Sequence, residues 1–306
     1  MNMILVFEQL LNGLQYGVML FLLAAGLTLI FGIMGIINLA HGSLYMVGAF
    51  AGVWVAAQTG SFWLGLPAAL AAAALTGVII EAMVIRRLYD RDHLEQVLAT
   101  FALILVCNEL IVIVFGRQPR FAGIPDSLTG SVELLPGLFY PLYRLIIIAV
   151  GMLVAGGLYL FINRTRVGML IRAGSTDREM VRALGVDIRR LYTAVFALGA
   201  VMAGLAGYLA APLFAVQVGM GERILLATFV VVVVGGVGSI RGAFVAGIAL
   251  GILDTAMRAF VPGLLKTVMN NADADALGTG LASMGIYLIM ALVLLVKPRG
   301  LLPAKG

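Results

Sequence analysis

Charge is what this chain has least of. Asp, Glu, Lys and Arg make up 11% of its 306 residues, against 62% hydrophobic residues and a mean hydropathy of +1.09. That leaves too little polar surface to coat a water-soluble globule of this length. The single cysteine, Cys107, lies in an apolar run and excludes an intrachain disulfide; it reads as a small core residue. Two histidines, His41 and His93, with one cysteine exclude a typical metal site, and no serine sits in a G-x-S-x-G elbow. Lysine is nearly absent too. Only Lys266 of the three precedes a Ser or Thr, and Leu265 stands where a phosphate-binding loop needs glycine, so no G-x-x-x-x-G-K-[ST] loop exists. The chain is expected to be non-catalytic. No Lys or Arg precedes the first apolar run and Glu8 interrupts it, so the N-terminus reads as uncleaved.

What the chain has instead is apolar runs of about 20 residues, the length that crosses a bilayer as a helix; a barrel would show alternating runs of about 10. The fold class is therefore an all-α, polytopic transmembrane helix bundle of eight or nine spans. Nine are expected, near 14–34, 41–58, 62–85, 95–116, 142–163, 192–213, 223–237, 241–260 and 281–296, after a lead-in helix over 2–12 at the membrane interface. The second opens on His41 and Ser43 and the seventh is short and ends in GGVGS, so these two are candidates for broken or re-entrant helices. Fourteen of the twenty Lys and Arg residues fall on one side if 86–93, 164–190, Arg241 and the tail KPRGLLPAKG share a face. That face is expected to be cytoplasmic, with the N-terminus outside and the C-terminus inside.

Glycine is abundant, with 38 residues, many of them inside the spans as in GAFAG, AGLAG and GAFVAG. In lipid, small residues let helix backbones approach closely, so tight packing is the plain reading and sliding helices the functional one. GSL followed by GAFAG at 42–52 echoes GSI followed by GAFVAG at 238–247, as duplicated halves with broken helices would. The most distinctive motif is GIMGIINLAHGSLYMVGAF, residues 32–50, in which Asn38, His41 and Ser43 interrupt an apolar stretch between glycines. A helix restarting near His41 would aim free N–H groups at a polar or anionic occupant. The simpler alternative is that Asn38 caps that helix and His41 satisfies a buried carbonyl.

Three acids lie within the spans. Glu81 reads as reaching the interface near Arg86, whereas Glu109 and Asp254 sit deeper, each a structural hydrogen bond or a pathway residue. Outside the spans the dominant feature is residues 163–190, with seven arginines against three acids. Within it STDREMVRALGVD reads as a short helix capped by Ser175 or Thr176, with Asp177 and Glu179 in its first turn and Gly185 ending it.

INLAHGSLYMVGAF, RALGVDIRRLYTAVFALGAVMAGLAGYLAAPL, GGVGSIRGAFVAGIALGIL and VLLVKPRGLLP occur in that order and cover nearly the whole chain. Together they resemble the permease subunits of branched-chain amino acid ABC importers. The resemblance implies that residues 1–306 are one permease domain forming half of a translocation pathway. It implies as partners a homologous second permease, two cytoplasmic ATPase subunits and a periplasmic substrate-binding protein, in a bacterial inner membrane. ATP and Mg would be bound by the ATPases, leaving this chain without a cofactor. The loop 164–190 would then be the coupling loop, with Arg178, Glu179, Arg182, Ala183 and Gly185 as the docking residues, loosely echoing the EAA pattern of ABC importers. Asn38, His41, Ser43, Glu109 and Asp254 would line the substrate pathway, and Arg120 and Arg144 would meet acidic residues of the binding protein at the outer face. Nucleic acid is excluded as a partner, because the basic residues sit in loops and helix ends rather than in an aromatic-studded patch. The rivals are an ion-gradient-driven secondary transporter or channel, a scaffold subunit, and, for the substrate, urea or short amides.

Overall fold

The computed structural model describes residues 3–303, with the side chain of Arg178 left outside. Eleven α-helices, two short 3-10 turns (Ile85–Arg87 and Asp126–Leu128) and one hairpin make up the regular structure of the described residues. They are α1 (Met3–Met34), α2 (His41–Thr59), α3 (Phe62–Met83), α4 (His93–Phe115), α5 (Leu142–Arg164), α6 (Arg166–Thr176), α7 (Arg178–Ala183), α8 (Ile188–Ala210), α9 (Met220–Gly235), α10 (Ile240–Leu265) and α11 (Asn271–Val296). Seven helices are long and apolar enough to cross a membrane, so this is a multi-pass membrane protein. Of the nine expected spans, the two outside that set are α2 and α9, the two that the sequence marks as broken or re-entrant; the short α6 and α7 also lie outside it.

The expected lead-in and first span are one helix. α1 runs unbroken for 32 residues, because Gly13 does not end it but lets it press against the α10 backbone at Ile252. α11 starts at Asn271, ten residues before the expected 281, under the Asn270 side chain, which accepts from the Asp273 N–H. The loop 117–141 holds a feature the hydropathy pattern does not show, an antiparallel hairpin of β1 (Ser131–Leu135) and β2 (Leu138–Pro141), turned at Gly137 with φ +83°. Tyr140 on β2 donates to Asn12 of α1, and Arg144 bonds the same oxygen. Arg120 donates to the Phe115 carbonyl and pairs through its backbone with Val216. Both expected handshake arginines are thus engaged inside the chain.

Small residues set the packing. α1 lies against α10 through Gly13, Gly17, Gly247 and Gly251, and against α8 where Gly26 meets Gly199. α8 is the second hub: Gly204 sits between Gly48 of α2 and Ala69 and Ala73 of α3, and Gly207 rests on the Tyr45 carbonyl. Lipid tails are as apolar as leucine, so these close approaches gain dispersion energy that larger side chains would forfeit. The tail closes the bundle: the Leu301 and Leu302 N–H groups donate to the last-turn carbonyls Val234 and Gly235 of α9.

A side chain at Gly17 would place its Cβ 2.6 Å from the Gly247 carbonyl oxygen, which is backbone and cannot step aside. Gly17→Val is expected to cost about 1–3 kcal/mol, read as a lower thermal midpoint of the purified protein. Gly156→Val on α5, where nothing lies within 4 Å, is expected to leave the midpoint unchanged.

Candidate functional site

α1 and the chain after it define the depth of the site. The helix ends at Met34 beside the basic elements, Gly35 turns the backbone at φ +67°, and residues 36–40 climb back into the bundle. The His41 ring packs against Gly26, since a Cβ there would meet Nε2 at 2.9 Å. Gly26 lies eight residues before the end of α1, about 12 Å along the axis. α2 therefore starts inside the bilayer.

α9 starts in the same place. Gly42 and Gly221 touch reciprocally, each one's Cα facing the other's carbonyl, so the first turns of α2 and α9 converge. The sequence echo pairs 42–52 with 238–247; the spatial partner of the α2 start is instead the α9 start at 220–221. Free N–H groups and positive dipole ends of two helices meet there, within a membrane that supplies no water to satisfy them.

Polar side chains gather around this point, several of them with atoms unbonded among the described residues. Asn38 and His41 are completely buried, and neither the amide atoms of Asn38 nor the ring nitrogens of His41 make a hydrogen bond of ordinary geometry; the ring lies near the Leu23 carbonyl. The capping alternative for Asn38 is overturned, because α2 has Ala40 at its N-cap and no side-chain cap bond. Ser43 is buried against the Cys107 thiol of α4. The sequence reading passed over Thr28, whose buried hydroxyl is also unbonded, and Asn108, whose amide donates to Glu222 in the first turn of α9. An amide beside Glu109 in an apolar run was the signal for the second of these.

The remaining pathway candidates lie elsewhere. Asp254 is buried on α10, but its carboxylate is held by Arg258 at 2.8 and 3.0 Å, so it is an ion pair within one helix. Glu109 is exposed on α4 and makes no hydrogen bond or ion pair among the described residues.

The second locus is on the basic face. Asp177, not Ser175 or Thr176, caps α7, accepting from the Glu179 and Met180 N–H groups, because the two hydroxyls bond back to the Arg172 carbonyl and finish α6. Gly185, at φ +82°, turns the chain into α8. Glu179 and Arg182 line a groove of about 570 Å³ with Arg86, Tyr89 and Arg189. Ala183 is exposed beside them. Glu81 lies behind this lining, bonded to Arg86 and Tyr89, and is completely buried rather than interfacial. It accepts from Arg86 at 2.9 Å, from the Thr193 hydroxyl of α8 at 2.7 Å, and from the Tyr89 phenol. Burial, and then the bond to Glu81, push the Tyr89 pKa well above its ordinary value, so the phenol stays a donor.

Gln96 connects the two loci. Its amide N–H groups donate to the Leu88 and Arg91 carbonyls, in the turn carrying Arg86 and Tyr89, while its oxygen accepts from the Ile37 N–H beside Asn38. Contacts thus run without a gap from the groove to the re-entering segment.

The chain is similar in sequence to known proteins over nearly its whole length. The family model for the branched-chain amino acid transport system permease component matches residues 9–294. Similar curated proteins include the high-affinity branched-chain amino acid transport system permease protein BraD of Pseudomonas aeruginosa, 30% identical over 96% of this chain and 95% of its own length. LivH of Escherichia coli is 28% identical over 96% and 94%, and LivM of the same organism 29% identical over 92% and 67%.

Removing the Glu81 carboxylate orphans donors on three residues at once, whereas Thr193→Ala removes one. Glu81→Ala is expected to lower the thermal midpoint clearly more than Thr193→Ala, both measured in detergent. Equal midpoints would contradict the clamp.

Proposed function

The chain belongs to the family of branched-chain amino acid transport system permease components, and from that premise we infer that it forms half of the pathway of a binding-protein-dependent ABC importer. Its partners in this reading are a homologous second permease, two cytoplasmic ATPase subunits that bind ATP and Mg, and a periplasmic binding protein. The basic face is cytoplasmic, which places the N-terminus in the periplasm and the C-terminus in the cytoplasm of a bacterial inner membrane.

The observation that carries the pathway is the meeting of two helix starts at Gly42 and Gly221 beside unbonded, buried Asn38 and His41. An amino acid brings a carboxylate, an ammonium group and an apolar side chain. The converging N-termini suit the carboxylate, and the Asn38 oxygen and the His41 ring offer acceptors to the ammonium group. Ser43 stands beside them. Asp254, already paired with Arg258, is not free to take part. The apolar walls of α1, α2 and α8 suit leucine, isoleucine or valine side chains.

Energy enters at α7. Beside the Glu179 and Arg182 groove this short helix exposes Met180 and Leu184, large apolar side chains outside any span, which favours a protein surface as their cover. Arg178 belongs to the same docking set, though its side chain lies outside the described residues. Ala183 and Gly185 shape the turn that follows. When the ATPases close on α7, the Glu81 clamp passes the displacement to α3 and α8, and Gln96 passes it to the segment that positions Asn38.

The test is purification of the tagged chain with its complex, identification of the co-purifying subunits, and measurement of the binding protein's ligand. Recovery of the chain without ATPases, or uptake that follows a proton or sodium gradient and ignores ATP, would overturn the reading. A urea- or amide-binding partner would reassign the substrate alone. Gly185→Val, strained by its positive φ, and Arg182→Glu are expected to abolish substrate-stimulated ATP hydrolysis at unchanged membrane levels. Gln96→Leu, which keeps the volume and removes the bonds, is expected to lower uptake roughly tenfold, a coupling loss of the size that contiguous networks carry.

A further inference from the structure

α4 presents a charged group where the bilayer has no water. Its buried residues, Gln96, Thr100, Ile104, Cys107 and Ile111, form one stripe against the bundle. At about 100° per residue, Glu109 points roughly opposite the centre of that stripe. It sits about 24 Å along the helix from His93 and about 9 Å before Phe115, within the apolar part of the span. Around it, Leu98, Leu105 and Ile113 are exposed, and Ala102 leaves a shallow notch about two turns away. Nothing in the described chain pairs with the carboxylate.

Lipid is a poor cover for such a face. An intramembrane acid is expensive unless it meets a donor or a water-filled cavity. Asn108, the next residue, turns inward and holds Glu222 at the start of α9, so α4 contacts the candidate pathway with one side and presents Glu109 on the other. A twofold contact of this face with a second copy would bring two Glu109 carboxylates together, and like charges disfavour that arrangement.

We propose that the Glu109 face of α4 is the seam by which this chain seats a second, non-identical permease, whose basic side chain meets the Glu109 carboxylate within the bilayer. The seam rests on the two-permease reading above and says where the partner lies and what chemistry it presents. A leucine stripe with an alanine notch supplies close packing, and one buried charge pair fixes the register of the two helices, a use of buried polar groups known from coiled coils. It also separates correct from incorrect partners, because only a chain carrying the donor at this depth satisfies the carboxylate.

The experiment uses the intact complex, purified through a tag on this chain. A photo-crosslinking residue at Leu105, one turn from Glu109, is expected to capture the second permease, and the same residue at the exposed Leu153 of α5 is expected to capture lipid. Glu109→Leu inserts at least as readily as the parent and is expected to reduce the co-purified second permease roughly tenfold or more, the loss that breaking a close charge pair produces. Glu109→Gln, which keeps a hydrogen-bond acceptor, is expected to lose less. Capture of lipid or of another copy of this chain from position 105, or full recovery of the partner with Glu109→Leu, would overturn the seam while leaving the two-permease reading intact. If no second permease co-purifies with the unaltered chain, that reading fails and the seam with it.

Discussion

Backbone against backbone is the contact on which this molecule depends. Inside a bilayer the hydrophobic effect does not draw one apolar helix to another, so cohesion comes from dispersion and close approach. Glycine makes that approach possible at α1 against α10, at α1 against α8, and at α8 against α2 and α3. The same device places the first turn of α2 on the first turn of α9 at Gly42 and Gly221. Function and stability therefore draw on one resource, because the contact that closes the bundle also brings two open helix ends together.

Those helix ends account for the polar residues around them. A helix starting within the membrane leaves N–H groups that neither water nor a preceding turn satisfies. Helix starts in the loops carry side-chain caps at Asp92, Asp177, Asp187 and Asn270, whereas α3, α5 and α9, like α2, have none. At α2 the cap is missing, and Asn38 and His41 stand buried with unbonded polar atoms. What sets the α2 start apart is therefore the pair of buried side chains beside it and not the missing cap. On the basic face the logic reverses: Glu81 is buried and completely engaged, as a rigid joint requires, and Gln96 joins that region to the open helix end.

Much of this was legible in order and type. The long apolar runs gave the spans, and the polar interruption at Asn38, His41 and Ser43 with the GGVGS ending marked α2 and α9, the two expected spans that are not long and apolar enough to cross a membrane. The arginine-rich loop marked the face and the short helix within it. Less legible were the connections between distant parts. Hydropathy cannot show that Glu81, 112 positions from Thr193, shares a bond with it, or that Gln96 reaches back 59 positions to Ile37. It also treats Asp254 and Glu109 alike, since both are acids in apolar runs. One proved to be clamped by Arg258 one turn away, the other to face outward with no partner among the described residues.

What the sequence determined by itself is therefore the class: composition and run length leave a helical membrane bundle as the only way to satisfy so apolar a backbone, and four ordered motifs point to its family. What tertiary structure alone decided is which polar groups are satisfied. Satisfaction depends on neighbours brought together across the bundle, as with Gly42 and Gly221, which are 179 positions apart and in van der Waals contact. Periodicity reports the environment along one helix, while a site is made where several helices meet.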